Sequence, residues 1–364
     1  MLADFYVGRP LDRFHKLHIT ALQLIQREIQ DGHVDEGLAI AVLLIGLTNV
    51  QRGQFQSVRK HLRGLLLILQ QIVPNFTSSK LSQTRLSSLT MQMWRLGIKL
   101  DWVAAMFTLQ QPIFPPVPNA EEFHRPWITA STGPGDTAEW AIAALSLDNL
   151  IHRSCHLAYQ IHAIRGESKN FEQELMISTI VIELENEIRS WGNRPFIRMA
   201  EALEKSVQNI DFNLDDSSDD SHLQFLDYPI LRIKNSFYAN LRLAWYGLSI
   251  YASLLASPYV GSAAYPQRFM SAVEICRTIA GGGNDVNQSL SHKFWTSFLA
   301  AIAFAGGDYP SQEAQWVWSK YREFARQFPM LSSFVIYQQL WILPEDLDFW
   351  DELESINAKV GHTQ

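Results

Sequence analysis

Cysteine is scarce in this chain. Only Cys155 and Cys276 occur in 364 residues, and they stand far apart. That excludes a closely spaced cysteine cluster for zinc or iron–sulfur binding, and it excludes a disulfide framework. Each falls in a helical pattern, where a buried reduced thiol is the expected state and a structural disulfide the lesser alternative. Charge is sparse as well. Asp, Glu, Lys and Arg make up 18% of residues, and acids outnumber bases 37 to 30 for a net charge of −7. No basic stripe appears, so the chain lacks the phosphate-gripping surface that binding DNA unaided requires. Long apolar runs are missing too. The longest, Leu38 to Leu47, reads LAIAVLLIGL. It has about half the length that crosses a bilayer, so it predicts a buried helix and no membrane association. The opening stretch, MLADFYVGRPLDRFHKLHI, has no apolar signal core. Secretion is therefore not expected, and the sequons Asn75-Phe76-Thr77 and Asn287-Gln288-Ser289 read as chance matches.

Signatures of chemistry are also lacking. There is no glycine-rich dinucleotide or phosphate loop, no HExxH and no GxSxG. No catalytic residue and no cofactor is assigned. One histidine pair invites a metal reading: His152 and His156 lie four apart, with Asp148 four residues earlier, so all three could line one helix face. No further carboxylate completes the set. A solvated face, or histidines packed against aromatic rings, is the preferred reading, and no metal is assigned.

What the chain has in abundance is apolar surface at helical spacing. Hydrophobic residues make up 47% and aromatic residues 12%. Stripes with spacings of three and four recur: Val58, Leu62, Leu65, Leu69, Ile72; Leu86, Leu89, Met93, Leu96, Leu100, Val103, Phe107; Ile177, Val181, Leu184, Ile188, Trp191. Later ones are Phe237, Leu241, Ala244, Leu248, Tyr251, Leu255; Phe269, Ala272, Cys276, Ile279; and Ala314, Val317, Tyr321, Phe324, Phe328. Such stripes place one apolar face of a helix against its neighbours. No alternating strand pattern is evident. The expectation is an all-α protein, an irregular multi-helix array forming a single domain over 1–364. Two breaks interrupt it. Residues 111–136 carry Pro112, Pro115, Pro116, Pro118, Pro126 and Pro134, which predicts a long ordered loop. Residues 211–222, DFNLDDSSDDSH, predict a mobile acidic surface loop.

Several segments carry a resemblance. From His18 to Gln71 a short helix precedes an apolar helix, a small-residue turn, and a helix opening with His61-Leu62-Arg63-Gly64. Further on, Asp101 on a long helix is followed a dozen residues later by the turn Phe114-Pro115. Arg242 to Gly247, Ala272 to Arg277, Phe294 to Ala301 and Gln315 to Trp318 follow in order. Together these resemble the helical regulatory, or middle homology, domain of fungal zinc-cluster transcription factors. Physical readings accompany the motif. Gly64, without a side chain, would let a neighbouring helix approach. His61 would hydrogen-bond near a helix start. Asp101, beside the stripe Leu96, Leu100, Val103, needs a partner, most simply Arg95, Lys99 or a loop amide. It reads as a tie between helix and loop.

The resemblance implies a nuclear regulator of transcription, controlling a metabolic or secondary-metabolite gene set. Related factors read DNA with a six-cysteine zinc module, followed by a basic linker and a coiled coil. None of these is present, so direct DNA binding by this chain alone is not expected. A related transcription factor or co-regulator would be its protein partner, and an apolar small molecule its effector. Trp94, Trp102, Trp245, Trp295, Trp316, Trp318 and Trp341 read mainly as core, with an aromatic ligand pocket as the sharper alternative. Alternative functions are a stand-alone small-molecule-binding protein or cofactor-free cyclisation enzyme of a biosynthetic pathway, or a decoy that sequesters related factors.

Overall fold

A computed structural model describes residues 11–51, 54–73, 88–108, 110–117, 121, 125, 128–129, 135–165, 171–194, 197–198, 236–260, 265–281, 295–297, 299–300, 303, 316–317 and 320. Every regular element among them is helical, and no strand occurs. The protein is all-α. The long helices are α1 (Leu11–Gln30), α2 (Glu36–Gln51), α3 (Phe55–Ile72), α4 (Ser88–Thr108), α5 (Asp136–Arg165), α6 (Phe171–Gly192), α7 (Ser236–Val260) and α8 (Tyr265–Gly281). Among the described residues no helix is long and apolar enough to cross a membrane. The chain forms two compact units that divide within α5, between Tyr159 and Gln160.

In the first unit α2 packs on α3 and α4, α3 packs on α4, and α1 lies on α2. Local signals set the boundaries. Gly32, at φ 75°, ends α1; its N–H bonds to Ile29 O at 3.2 Å and the His33 N–H to Glu28 O at 2.9 Å. This left-handed turn satisfies the last carbonyls of the helix, and glycine adopts it without strain. Asp35 opens α2, its Oδ1 accepting the Leu38 N–H at 2.8 Å. The apolar run of α2 is buried at Leu38, Ala39, Val42, Leu43 and Ile45. On α3 the stripe Val58, Leu62, Leu65, Leu69 is buried as its spacing predicts, while Ile72 at its end is half-buried. The stripe expected on α4 is only half right. Leu89 and Leu96 are exposed, while Met91, Met93, Trp94, Ile98 and Leu100 are buried. Because α4 is apolar on nearly every side, spacing alone could not select the inward face.

In the second unit α7 packs between α6 and α8. The α6 stripe Ile177, Val181, Leu184, Ile188, Trp191 is buried throughout, as are Leu241, Ala244, Leu248, Tyr251 and Leu255 on α7. Gly192 stands where a Cβ would overlap the Trp245 ring, so glycine permits this close crossing. The Trp245 indole N–H also donates to Ile188 O at 2.9 Å. Beside it, Arg242 is buried between helices and pairs with Glu274 on α8. Arg242 also donates to Thr278 Oγ1 at 3.2 Å and lies 5.1 Å from the centre of the Tyr246 ring. Burial opposes the charge of Arg242, but Tyr246 and Glu274 more than offset it, and its pKa rises above the ordinary value. On the later stripes, Ala272, Cys276, Ile279 and Val317 are buried. Leu86, Ala314, Tyr321, Phe324 and Phe328 lie outside the described residues, as does the acidic loop 211–222.

Candidate functional site

A buried polar cluster of the first unit surrounds the turn 111–117. A proline-rich segment cannot satisfy its own backbone by helix formation, so side chains must do it. Four helical side chains take up that role. From α3, Arg59 Nη2 donates to Gln111 O at 2.7 Å. From α4, Asp101 Oδ2 accepts the N–H groups of Ile113 and Phe114, each at 2.7 Å. From α5, His156 Nε2–H donates to Phe114 O at 3.1 Å. Asn149, also on α5, donates from Nδ2 to Val117 O at 2.9 Å and accepts the Val117 N–H at 3.3 Å. The tie expected between Asp101 and the loop is therefore present, made through loop amides. Arg95 and Lys99 are not its partners. Their charges act on Asp148, whose pKa is raised by burial against the pull of both cations.

A third donor reaches the same oxygen. His152 Nε2 lies 3.0 Å from Asp101 Oδ2, and both side chains have no exposed surface. His152 is thus neither on a solvated face nor among aromatic rings only, as the sequence suggested. Its ring meets the His156 ring edge to face, with centroids 4.8 Å apart. Burial, and then the neighbouring His152, lower the His156 pKa to about 4; the bond to Phe114 O and the charge of Asp101 oppose that shift. His156 is accordingly neutral at ordinary pH.

The turn also anchors the apolar core. The Phe114 side chain is fully buried, edge-on to Trp94 with centroids 5.0 Å apart. Gly97 makes room for it: a Cβ there would fall 2.8 Å from Phe114 Cζ and 3.3 Å from Leu65 Cδ2. The close approach that the sequence assigned to Gly64 belongs to Gly97. At Gly64 a Cβ would meet nothing within 4 Å. His61 differs from expectation too. It sits in the second turn of α3, half-buried, because the helix begins at Phe55. Burial, and then His18 and Lys60, lower its pKa.

The three residues once weighed as a metal face are each committed elsewhere: Asp148 beside Arg95 and Lys99, His152 to Asp101, and His156 to the Phe114 carbonyl. Among the described residues no three His, Cys, Asp or Glu side chains converge as a metal would require. Cys155 and Cys276 are buried, and no disulfide joins them. Trp94, Trp102 and Trp295 are buried in packing positions, Trp245 and Trp316 are half-buried, and Trp318 and Trp341 lie outside the described residues. Within 111–136, Glu121, Arg125, Ile128 and Thr129 are helical, so this stretch is not loop throughout. Sequence reasoning missed Arg59 and Asn149. Their one signal was a polar residue inside an apolar helical stretch.

Comparison with protein-family models, with curated proteins and with solved structures finds no match to this chain.

Proposed function

We propose that this chain is a helical regulatory domain of the fungal zinc-cluster transcription-factor type, acting in the nucleus through a partner. The observation that carries the reading is the bond between Asp101 and the Phe114 amide. Aspartate and Phe-Pro turn are the two halves of one of the motifs that carry the resemblance, and here they engage each other. Asp101, His156 and Asn149 spend polar atoms on holding backbone, which is the work of a scaffold. Such a domain would control a metabolic or secondary-metabolite gene set, responding to an apolar effector or to a related factor that reads DNA.

The test is a reporter assay with the full chain fused to an unrelated DNA-binding module. The fusion is expected to change reporter output several-fold relative to the module alone. A fusion of equal abundance with no effect would overturn the reading.

A further inference from the structure

Asp101 uses its two carboxylate oxygens unequally. Oδ2 takes all three donors, from Ile113, Phe114 and His152. Oδ1 is buried and accepts no hydrogen bond. On the neighbouring helix α3, Arg59 mirrors this. Its side chain is buried, Nη2 is bound to Gln111 O, and Nε and Nη1 are buried without an acceptor. The two groups grip the same short turn, Arg59 at Gln111 and Asp101 at Ile113 and Phe114. The charge of Asp101 acts on Arg59, yet no direct hydrogen bond joins them.

Two idle nitrogens on a buried guanidinium and an idle oxygen on a buried carboxylate are each costly. A single guest that accepts from one of these nitrogens and donates to Asp101 relieves the carboxylate and one side of the guanidinium. Its chemistry is constrained. An anion would be repelled by Asp101 and a cation by Arg59, so the guest is neutral. It must be both donor and acceptor, and compact enough for a helix crossing. We infer that an ordered internal water bridges the Arg59 Nε–H or Nη1–H to Asp101 Oδ1, completing the polar clamp on the turn. With it, α3 and α4 hold the turn through one continuous chain: Gln111 carbonyl, Arg59, water, Asp101, and the Ile113 and Phe114 amides.

A crystal structure of the full chain, at a resolution that shows solvent, tests this directly. A density peak is expected about 2.7–3.2 Å from both Asp101 Oδ1 and a nitrogen of Arg59. Arg59 bonded straight to Asp101, or turned outward to bulk solvent, would overturn the inference. Oxygen-17 relaxation dispersion is an independent check in solution. Arg59→Met, shown by circular dichroism to keep wild-type helicity, is expected to lose one long-lived water. An unchanged number would count against the bridge. If that variant does not fold, the crystallographic result alone decides.

Discussion

Asp101 and His152, 51 residues apart in sequence, meet at 3.0 Å with neither side chain exposed. The carboxylate draws α4, α5 and the intervening turn to one atom. Removing it strands three buried donors. Asp101→Ala is expected to cost about 3–5 kcal/mol, since each donor left unsatisfied away from water costs about 1–3 kcal/mol. Asp101→Asn, which keeps an accepting oxygen, is expected to cost less. Urea denaturation of both variants measures the difference. An Ala variant as stable as wild type would show that the clamp contributes nothing.

His156 makes stability depend on pH. Its folded pKa of about 4 lies below the model-peptide value of 6.5, so the unfolded chain binds the proton more readily. This contribution is fully present above pH 6.5 and is lost as pH falls toward 4. The loss reaches about 3 kcal/mol at most. His156→Gln keeps a donor for the Phe114 carbonyl but does not titrate. Its melting temperature should fall less than that of wild type between pH 7 and pH 4.5. Parallel pH profiles for the two proteins would refute the assignment.

Two glycines should respond in opposite directions. Gly64→Ala adds a Cβ into open space within a helix and is expected to stabilise by about 0.5–1 kcal/mol. Gly97→Ala drives a Cβ against Phe114 and Leu65 and is expected to destabilise by about 1–3 kcal/mol. Thermal melts of the two variants, run side by side, provide the check. Equal shifts of the same sign would contradict the packing described.

In the second unit, Glu274→Ala leaves the Arg242 guanidinium buried without its carboxylate. A loss of about 3–5 kcal/mol is expected. The double variant Arg242→Met with Glu274→Met should recover much of that loss, since two apolar side chains leave no stranded charge. Additive losses in the double variant would mean the two residues are not coupled.

Legibility followed contrast. On α6 the buried stripe alternates with Glu172, Glu183 and Glu187, and the inward face could be read directly. On α4 there is little polar residue to mark the outside, and Leu89 and Leu96 were placed inward although they face out. Asp101 was legible as a residue that needed a partner, because a carboxylate beside Leu100 and Val103 cannot go unsatisfied. That its partners would be the Ile113 and Phe114 amides was one choice among three. His152 read as a surface or ring-packed residue because its neighbours at four-residue spacing are Asp148 and His156, both polar. Gly64 stood in the recognisable motif, whereas Gly97, where close approach occurs, carried no sequence mark.

Periodicity and composition suffice for the all-helical character, for most helix faces and for the core stripes, because those depend on residues three and four apart in one segment. The partners of Asp101, Arg59, His152 and Asn149 belong to a different order of information. Each contact spans tens of residues, except for the pair at Ile113 and Phe114, which spans 12 and 13 and joins helix to turn. They exist only because α3, α4 and α5 converge on one proline-rich turn whose backbone cannot bond to itself. How helices converge depends on the fit of whole packed surfaces, and short-range spacing carries no record of that fit.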